Sequence, residues 1–398
     1  MPDPRALRLL ADANIPFAED AFSRYGQVRT LVGREITRES LRETDVLLVR
    51  SVTRVDADLL AGTPVRFVAS ATAGTDHIDR RALADLGVGF GHAPGSNAAS
   101  VVDWVLAALL HLGAATGEAV EGKTLGVVGV GEVGGRLVPR AEALGMRVLR
   151  CDPPREAGGH GGPWTPLADL LRQSDAVTLH TPLEREGAHP TFHLLGDAEL
   201  AAMREGAWLL NAARGPVVDN EALLRSVAAR RLGAVALDVW EGEPEPNTGL
   251  ASRVDLGTPH IAGYAFDGKV RGTRMIEAAL RIWLRDNGLA LPAEWGPESV
   301  LAPPSPLVVH VPEGATASPA DRTRWLHALA RQAYPIAEDD RRFRQSVVTM
   351  PDAHRRGLAF ADLRRRYPVR REWSRFRVDG PVPAALAGAV REGLGMSA

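Results

Sequence analysis

Between residues 125 and 134 the chain reads Leu-Gly-Val-Val-Gly-Val-Gly-Glu-Val-Gly. An apolar run leads into glycines spaced G-x-G-x-x-G, and an amphipathic stretch, Gly134–Leu144, follows at once. That order admits few folds. A strand must end at the first glycine, the chain must turn sharply, and a helix must start where the third glycine lets it lie close to the strand. The surrounding sequence repeats the strand-then-helix rhythm. Short apolar runs at Leu7–Leu10, Val46–Val49, Phe67–Ser70, Leu125–Gly129, Arg147–Arg150, Ala176–Leu179, Trp208–Asn211, Ala234–Asp238 and Leu256–Thr258 alternate with helical patterns. The latter include Val101–Leu112, Leu167–Arg172 and Asn220–Arg230. Such alternation is the mark of parallel sheets built from βαβ units. A long helix from Ala98 to Leu112 separates an opening set of strands from the set beginning at Leu125, so two sheets fit better than one.

Composition bounds the rest. The 398 residues suffice for two or three domains. Hydrophobic content of 45% and charged content of 24% exclude wholesale disorder. With 47 Lys plus Arg against 49 Asp plus Glu, the net charge of −2 gives no global drive toward nucleic acid or anionic membranes. The single cysteine, Cys151, excludes an intrachain disulfide and a metal site needing two thiolates, and no metal is expected. The opening Met1-Pro2-Asp3-Pro4-Arg5 lacks a signal-peptide pattern, and no uninterrupted apolar stretch reaches about 18 residues, which predicts a cytoplasmic protein. Past about Asn287 the texture changes. Pro292, Pro297, Pro303, Pro304, Pro306 and Pro312 mark an irregular entry to a third module with a strand-like Leu307–Val311. Its Ala/Gly-rich tail, Pro381–Ala398, reads as a weakly held helix.

The glycine turn has a physical reading. Gly129 permits the turn, Gly131 lets a pyrophosphate approach the backbone, and Gly134 allows close helix packing. Glu132 and Val133 lie between them, where the helix start offers free N–H groups to an anion. The next strand runs into Cys151-Asp152, about twenty residues on, where a carboxylate meets the adenosine ribose hydroxyls. An Asp there repels a 2′-phosphate, so the expected cofactor is NAD. Arg150 and Arg155 stand nearby and temper that preference.

Three further strands of the same half end in loops with chemistry: Asn211–Asp219 with Arg214, Leu237–Pro244 with Glu243, and Thr258–Tyr264 with His260. In an open parallel sheet, ligands bind at the carboxyl ends of the strands, so these loops converge. Together they suit oxidation of a 2-hydroxy acid. A histidine takes the hydroxyl proton, a carboxylate orients the ring and stabilises the imidazolium, and an arginine forks onto the substrate carboxylate.

At Arg214, Glu243 and His260 the sequence resembles the D-isomer-specific 2-hydroxyacid dehydrogenases. The resemblance implies two Rossmann-like doubly wound parallel-sheet domains, one inserted in the other, with the active site in the cleft between them. It implies a discontinuous substrate-binding domain at 1–110 and 259–285, an NAD-binding domain at 111–258, and a small α+β C-terminal dimerisation domain at 286–398. Asp12–Pro16, Val49–Thr53, Ala71–His77, Cys151–Arg155, Leu179–Leu183 and Arg370–Ser374 extend it to one branch, whose substrate is a four-carbon phosphorylated 2-hydroxy acid. Carried over by residue, it implies that Ser51, Thr72 and Tyr264 contact substrate. It implies that Asp152, Thr181, Asp238, Gly263 and the Ala212-Ala213-Arg214 backbone contact NAD. Arg50, beside Ser51, is a further candidate for the phosphate. The sequence departs from the family at Ser96 and Ala213, where cysteine is common; both read as packing positions.

Twelve of the residues between 341 and 377 are arginine, which raises the question of nucleic acid. No reader motif accompanies them, and a charged helical face in a homodimerisation domain is the expected explanation. An arginine of this module reaching the partner subunit's phosphate site is a further hypothesis. Rival readings are a 3-phosphoglycerate or glyoxylate type of dehydrogenase, and an NAD-sensing scaffold.

Overall fold

A computed structural model describes residues 7–296 and 305–397. Met1–Arg5, Pro297, Pro303, Pro304 and Ala398, all used in the reading above, lie outside the described residues. The chain divides into two compact units: Met1–Asn97 with Ala265–Pro304, and Ala98–Tyr264 with Ser305–Ala398.

The first unit is a parallel sheet of five strands, β1 (Leu7–Asp12), β2 (Gly26–Leu31), β3 (Val46–Val49), β4 (Phe67–Ser70) and β5 (Gly89–His92), in the order β2-β1-β3-β4-β5. The central β3 and β4 are buried at every residue, as strands covered on both faces must be. Two of these strands carry no apolar run. β2 is an edge strand, where exposed and half-buried residues alternate. In β5, Gly-Phe-Gly-His, the glycines make room for the helix Phe266–Asp286. A Cβ at Gly89 would lie 2.5 Å from the Trp283 ring, and one at Gly91 would lie 2.6 Å from the Ala279 Cβ. Close packing thus removed the side chains that would have announced the strand.

The second unit is a six-stranded parallel sheet. Its strands β6 (Thr124–Val128), β7 (Arg147–Cys151), β8 (Ala176–Leu179), β9 (Trp208–Asn211), β10 (Ala234–Leu237) and β11 (Leu256–Gly257) run β11-β10-β9-β8-β6-β7. Both sheets are therefore doubly wound α/β sheets, as expected. Helix Ala98–Thr116 belongs to this unit, because Trp104, Leu106 and Leu109 share a core with β6 and with Trp325 and Leu329 of helix Pro319–Ala333. Its mean hydropathy of 1.7 would suit a membrane span, yet 78% of it is buried within the protein.

The C-terminal segment builds a two-stranded parallel ladder, β12 (Leu307–His310) with β13 (Phe376–Asp379). It packs within the second unit. Its tail is held more firmly than the sequence predicts. Leu386, Val390, Leu394 and Met396 are buried in the core that contains β6, and Arg140 donates to the Gly393 and Leu394 carbonyls at 2.7 Å each. Small residues hid this anchoring, since four apolar side chains among glycines and alanines give no helical stripe.

Candidate active site

The glycine turn sits between β6 and β8, where the strand order reverses. Gly129 has φ +87°, and a Cβ there would stand 2.8 Å from the His180 carbonyl carbon. A Cβ at Gly134 would lie 2.1 Å from the Gly129 carbonyl oxygen, so the helix Gly134–Ala143 touches the turn backbone. At Gly131 nothing stands within 4 Å, which leaves the backbone bare. Asp152 is fixed at the tip of β7. One carboxylate oxygen accepts from the Val130 N–H at 2.8 Å and the other from the Arg155 N–H at 3.1 Å. Arg150 is drawn to Glu142, 3.2 Å away. Glu132 pairs with Arg136 on the solvent side. At the end of β8 the Thr181 Oγ1 is buried without a hydrogen-bond partner among the described residues. A buried hydroxyl with no partner, a bare glycine and an oriented carboxylate fit a dinucleotide. Beside them His180 is held neutral, its pKa pushed down to about 3 by burial.

The loops that carry Arg214 and Glu243 are locked to one another through backbone. A Cβ at Gly215 would stand 2.0 Å from the Trp240 carbonyl carbon, so the Arg214 loop lies directly on the Glu243 loop. Asn211 shapes the former, accepting from the Ala213 N–H at 3.0 Å and donating to the Arg214 carbonyl at 2.9 Å. Ala213 is buried, as is Ser96 in the first unit. Asp238, 1% exposed, anchors the third loop. Its Oδ1 accepts from the Thr258 hydroxyl at 2.6 Å and the Ile261 N–H at 2.7 Å, and its Oδ2 accepts from the Ala262 N–H at 2.9 Å. These bonds hold His260 in the left-handed region, at φ +56°. Gly263 and Tyr264 follow in the same loop.

His260 Nδ1 stands 2.7 Å from Glu243 Oε2, and Glu243 Oε1 accepts from the Trp240 N–H at 2.7 Å. Burial opposes ionisation of Glu243. The charge and hydrogen bond of His260, the Trp240 N–H and the Arg364 guanidinium outweigh it and hold the carboxyl below its ordinary range. An ionised Glu243 can only accept, so the proton between the two residues sits on His260 Nδ1, and in the neutral ring Nε2 is then the nitrogen that carries the lone pair.

The C-terminal segment braces these loops, a role that the sequence pattern did not assign to it. Phe343 stacks on Trp240 at 5.0 Å. Asp340 accepts from the Gly257 N–H at 2.7 Å. The buried Arg370 donates to the Ala262 carbonyl and lies over the Tyr334 ring at 4.3 Å. Tyr367 meets Tyr264 edge-on at 5.9 Å. Much of the arginine run is neutralised locally, with Arg341 on Glu338, Arg342 on Asp339, Arg344 on Asp340, and Arg365 and Arg366 on Asp362. The only available signal was the Arg370–Ser374 motif, which carried no role.

In the first unit, Val49 of β3 is in register with Ser70 of β4, so Arg50-Ser51 and Ala71-Thr72 leave neighbouring strand ends. Arg50 Nη1 donates to the Asn14 carbonyl at 3.0 Å. Ser51 is exposed, while the Thr72 hydroxyl meets Ser70 Oγ at 2.7 Å and donates to the Gly74 carbonyl at 2.9 Å. Two other groups attract notice. His193, Asp219 and Glu241 offer ligand atoms within 4.8 Å of one another. His193 Nε2 is engaged by Glu241 at 2.7 Å and Asp219 caps helix Asn220–Ala228, so the trio is satisfied internally. Cys151 is buried, and burial followed by the charges of Asp152 and Glu156 pushes its thiol up to about 11, which leaves it unreactive.

Residues 103–262 match the sequence model of the D-isomer specific 2-hydroxyacid dehydrogenase NAD-binding domain, and residues 308–390 match a domain of unknown function. An erythronate-4-phosphate dehydrogenase of Salinibacter ruber is 51% identical, over 98% of this chain and 99% of its own. The chain belongs to the erythronate-4-phosphate dehydrogenases, within the D-isomer-specific 2-hydroxyacid dehydrogenase family. The Pseudomonas aeruginosa PAO1 member is 45% identical over 97% of this chain and 98% of its own. Among solved structures, a Thermus thermophilus protein matches 72% of this chain and 99% of its own, with 28% identity and a TM-score of 0.62. The D-lactate dehydrogenase of Aquifex aeolicus, solved with NAD and lactic acid, shares the fold with a TM-score of 0.60 at 24% identity, over 71% of this chain and 96% of its own. The protein is an NAD-dependent oxidoreductase of this family, with the glycine turn, Asp152 and Thr181 suited to the cofactor.

Proposed function

We propose that the protein oxidises 4-phospho-D-erythronate at C2 to (R)-3-hydroxy-2-oxo-4-phosphobutanoate with NAD, a step toward pyridoxal 5′-phosphate. The observation that carries this reading is the His260–Glu243 pair at 2.7 Å in a unit that also presents a dinucleotide turn. His260 Nε2 accepts the C2 hydroxyl proton, and the charge that develops on the ring is met by Glu243 through Nδ1–H. Arg214 forks onto the substrate carboxylate and polarises the C2 oxygen. Bound NAD supplies the hydride acceptor. The proton held on His260 then passes to water.

Around that core we assign Gly129, Gly131, Glu132, Val133, Gly134, Asp152, Thr181, Ala212, Ala213, Arg214, Asp238 and Gly263 to the cofactor. Ser51, Thr72, Tyr264 and Arg50 go to the substrate, whose hydroxyls and phosphate call for such donors. Residues 1–110 with 259–285 serve the substrate, 111–258 the cofactor and 286–398 a homodimer. The cytoplasm is the assigned compartment.

The deciding experiment is NADH formation by the purified protein with 4-phospho-D-erythronate, beside 3-phosphoglycerate and D-lactate. Turnover of the four-carbon phosphate alone is expected. Turnover of a control alone moves the substrate elsewhere in the family, and bound NAD without turnover of any acid favours a scaffold.

A further inference from the structure

Helix Ala353–Arg365 runs along the catalytic loops of its own unit. A Cβ at Gly357 would stand 3.1 Å from the Glu245 side chain and 3.4 Å from that of Pro244, so the helix crosses the Glu243 loop there. Two turns later, on the same face, comes Arg364. Its guanidinium lies over the Tyr264 ring, 5.5 Å from the centroid, and over Phe360 at 6.0 Å. Among the described residues that side chain makes no hydrogen bond and no ion pair, and its Nε is buried without one. The Glu243 carboxylate feels its charge, yet both Glu243 oxygens are already taken by His260 and the Trp240 N–H. The next two residues, Arg365 and Arg366, both pair with Asp362. A cation left partly out of water without a bonded anion costs stability, and aromatic faces offset only part of that. Such a group persists where a ligand completes it.

The reaction makes three demands on this unit. The substrate carboxylate takes Arg214 and the C2 hydroxyl takes His260. The phosphate, close to a dianion at neutral pH, requires a further cation with several donors. We infer that Arg364 grips the substrate phosphate from the C-terminal segment of the same chain, so that part of the selectivity for a phosphorylated acid, beyond what Arg50 supplies, is written outside the two sheets. The inference rests on the proposed substrate. It also differs from an arginine supplied by a partner subunit, since Arg364 already stands over Tyr264 of its own chain.

The test compares ligands with and without the phosphate. For Arg364→Gln we expect the KM for 4-phospho-D-erythronate to rise about 10- to 100-fold, the scale of a lost charge-assisted contact. The inhibition constant of D-erythronate, which lacks the phosphate, should stay within about twofold by the same reckoning. Arg364→Lys, which keeps charge and stem but loses the fork, should raise KM less, and it serves alone if the glutamine variant does not fold. An unchanged KM overturns the inference. So does an equal loss for both ligands, because a residue that merely staples Tyr264 affects the two alike. Failure of the wild-type protein to oxidise the phosphorylated acid is a separate result, which overturns the substrate reading and this inference with it.

Discussion

The two sheets share a plan and differ in one turn. Numbered from its own first strand, each runs 2-1-3-4-5, the second with one strand more, and each reverses direction between its first and third strands. That reversal opens a crevice at the carboxyl ends of the strands. In the second unit the turn leaving the first strand is Gly129–Gly134, where nothing stands within 4 Å of a Cβ placed on Gly131 and the backbone there is open to a ligand. In the first unit it is Asp12-Ala13-Asn14, where the Asp12 carboxylate accepts from the Asn14 N–H and side-chain amide at 2.9 Å each. Asn14 in turn gives its carbonyl to Arg50. Strand order fixes where a ligand lies, and turn residues decide its chemistry. A long pyrophosphate suits bare N–H groups and a helix dipole, whereas a small polyhydroxy acid needs discrete side chains.

If the second unit holds NAD by backbone, removing the side chains proposed for catalysis should cripple the chemistry and spare the cofactor. His260→Ala or Arg214→Ala should lower turnover on the order of 10²–10⁴-fold. The NADH dissociation constant, followed by protein fluorescence, should stay put. A parallel loss of NADH affinity would show that the side chains, not the turn, hold the nucleotide. Gly129→Ala should do the reverse. It places a Cβ 2.8 Å from the His180 carbonyl carbon on a residue at φ +87°. The conformation alone costs about 1–2 kcal/mol, so NADH binding should weaken about 5- to 30-fold. Undiminished NADH affinity would contradict the backbone account.

What could be read in advance follows the same divide. The glycine turn, the central strands and the order Arg214, Glu243, His260 were legible because each imposes a local signature: an apolar run, a spacing, a reactive residue after a strand. Asp238 was read only as a cofactor contact. Its hold on the His260 turn is a three-bond arrangement that no spacing reveals. β5 escaped because Gly89 and Gly91 answer to Trp283 and Ala279, nearly two hundred residues away in sequence. The brace of Phe343, Asp340 and Arg370 escaped for the same reason. Long-range packing leaves no periodic trace in the segment that supplies it.

The first unit's turn gives a smaller and more selective effect. Asp12→Ala removes two local hydrogen bonds at Asn14 and loosens the platform of Arg50. At about 1 kcal/mol net, the KM for the acid should rise roughly fivefold with NADH affinity unchanged. Equal weakening of acid and NADH would erase the distinction between the two turns.

The smallest expected effect lies where the C-terminal segment meets helix Ala98–Thr116. The His327 and His111 rings stand 5.5 Å apart. Burial first, then the charges of His111 and Arg331, push His327 down to about 4, and burial also lowers His111 against the pull of Asp340. Between about pH 6.5, where an unfolded histidine titrates, and pH 4 the unfolded chain binds the extra proton. Stability therefore falls as pH drops through that window. His327→Gln cannot take the proton, so any deficit it shows at pH 7.5 should shrink or reverse at pH 5 in urea-unfolding midpoints. A constant difference at both pH values would mean that the pair does not titrate against folding. The two rings would then hold the C-terminal segment to the helix by packing alone, unlike the tail, which Arg140 also ties down through the Gly393 and Leu394 carbonyls.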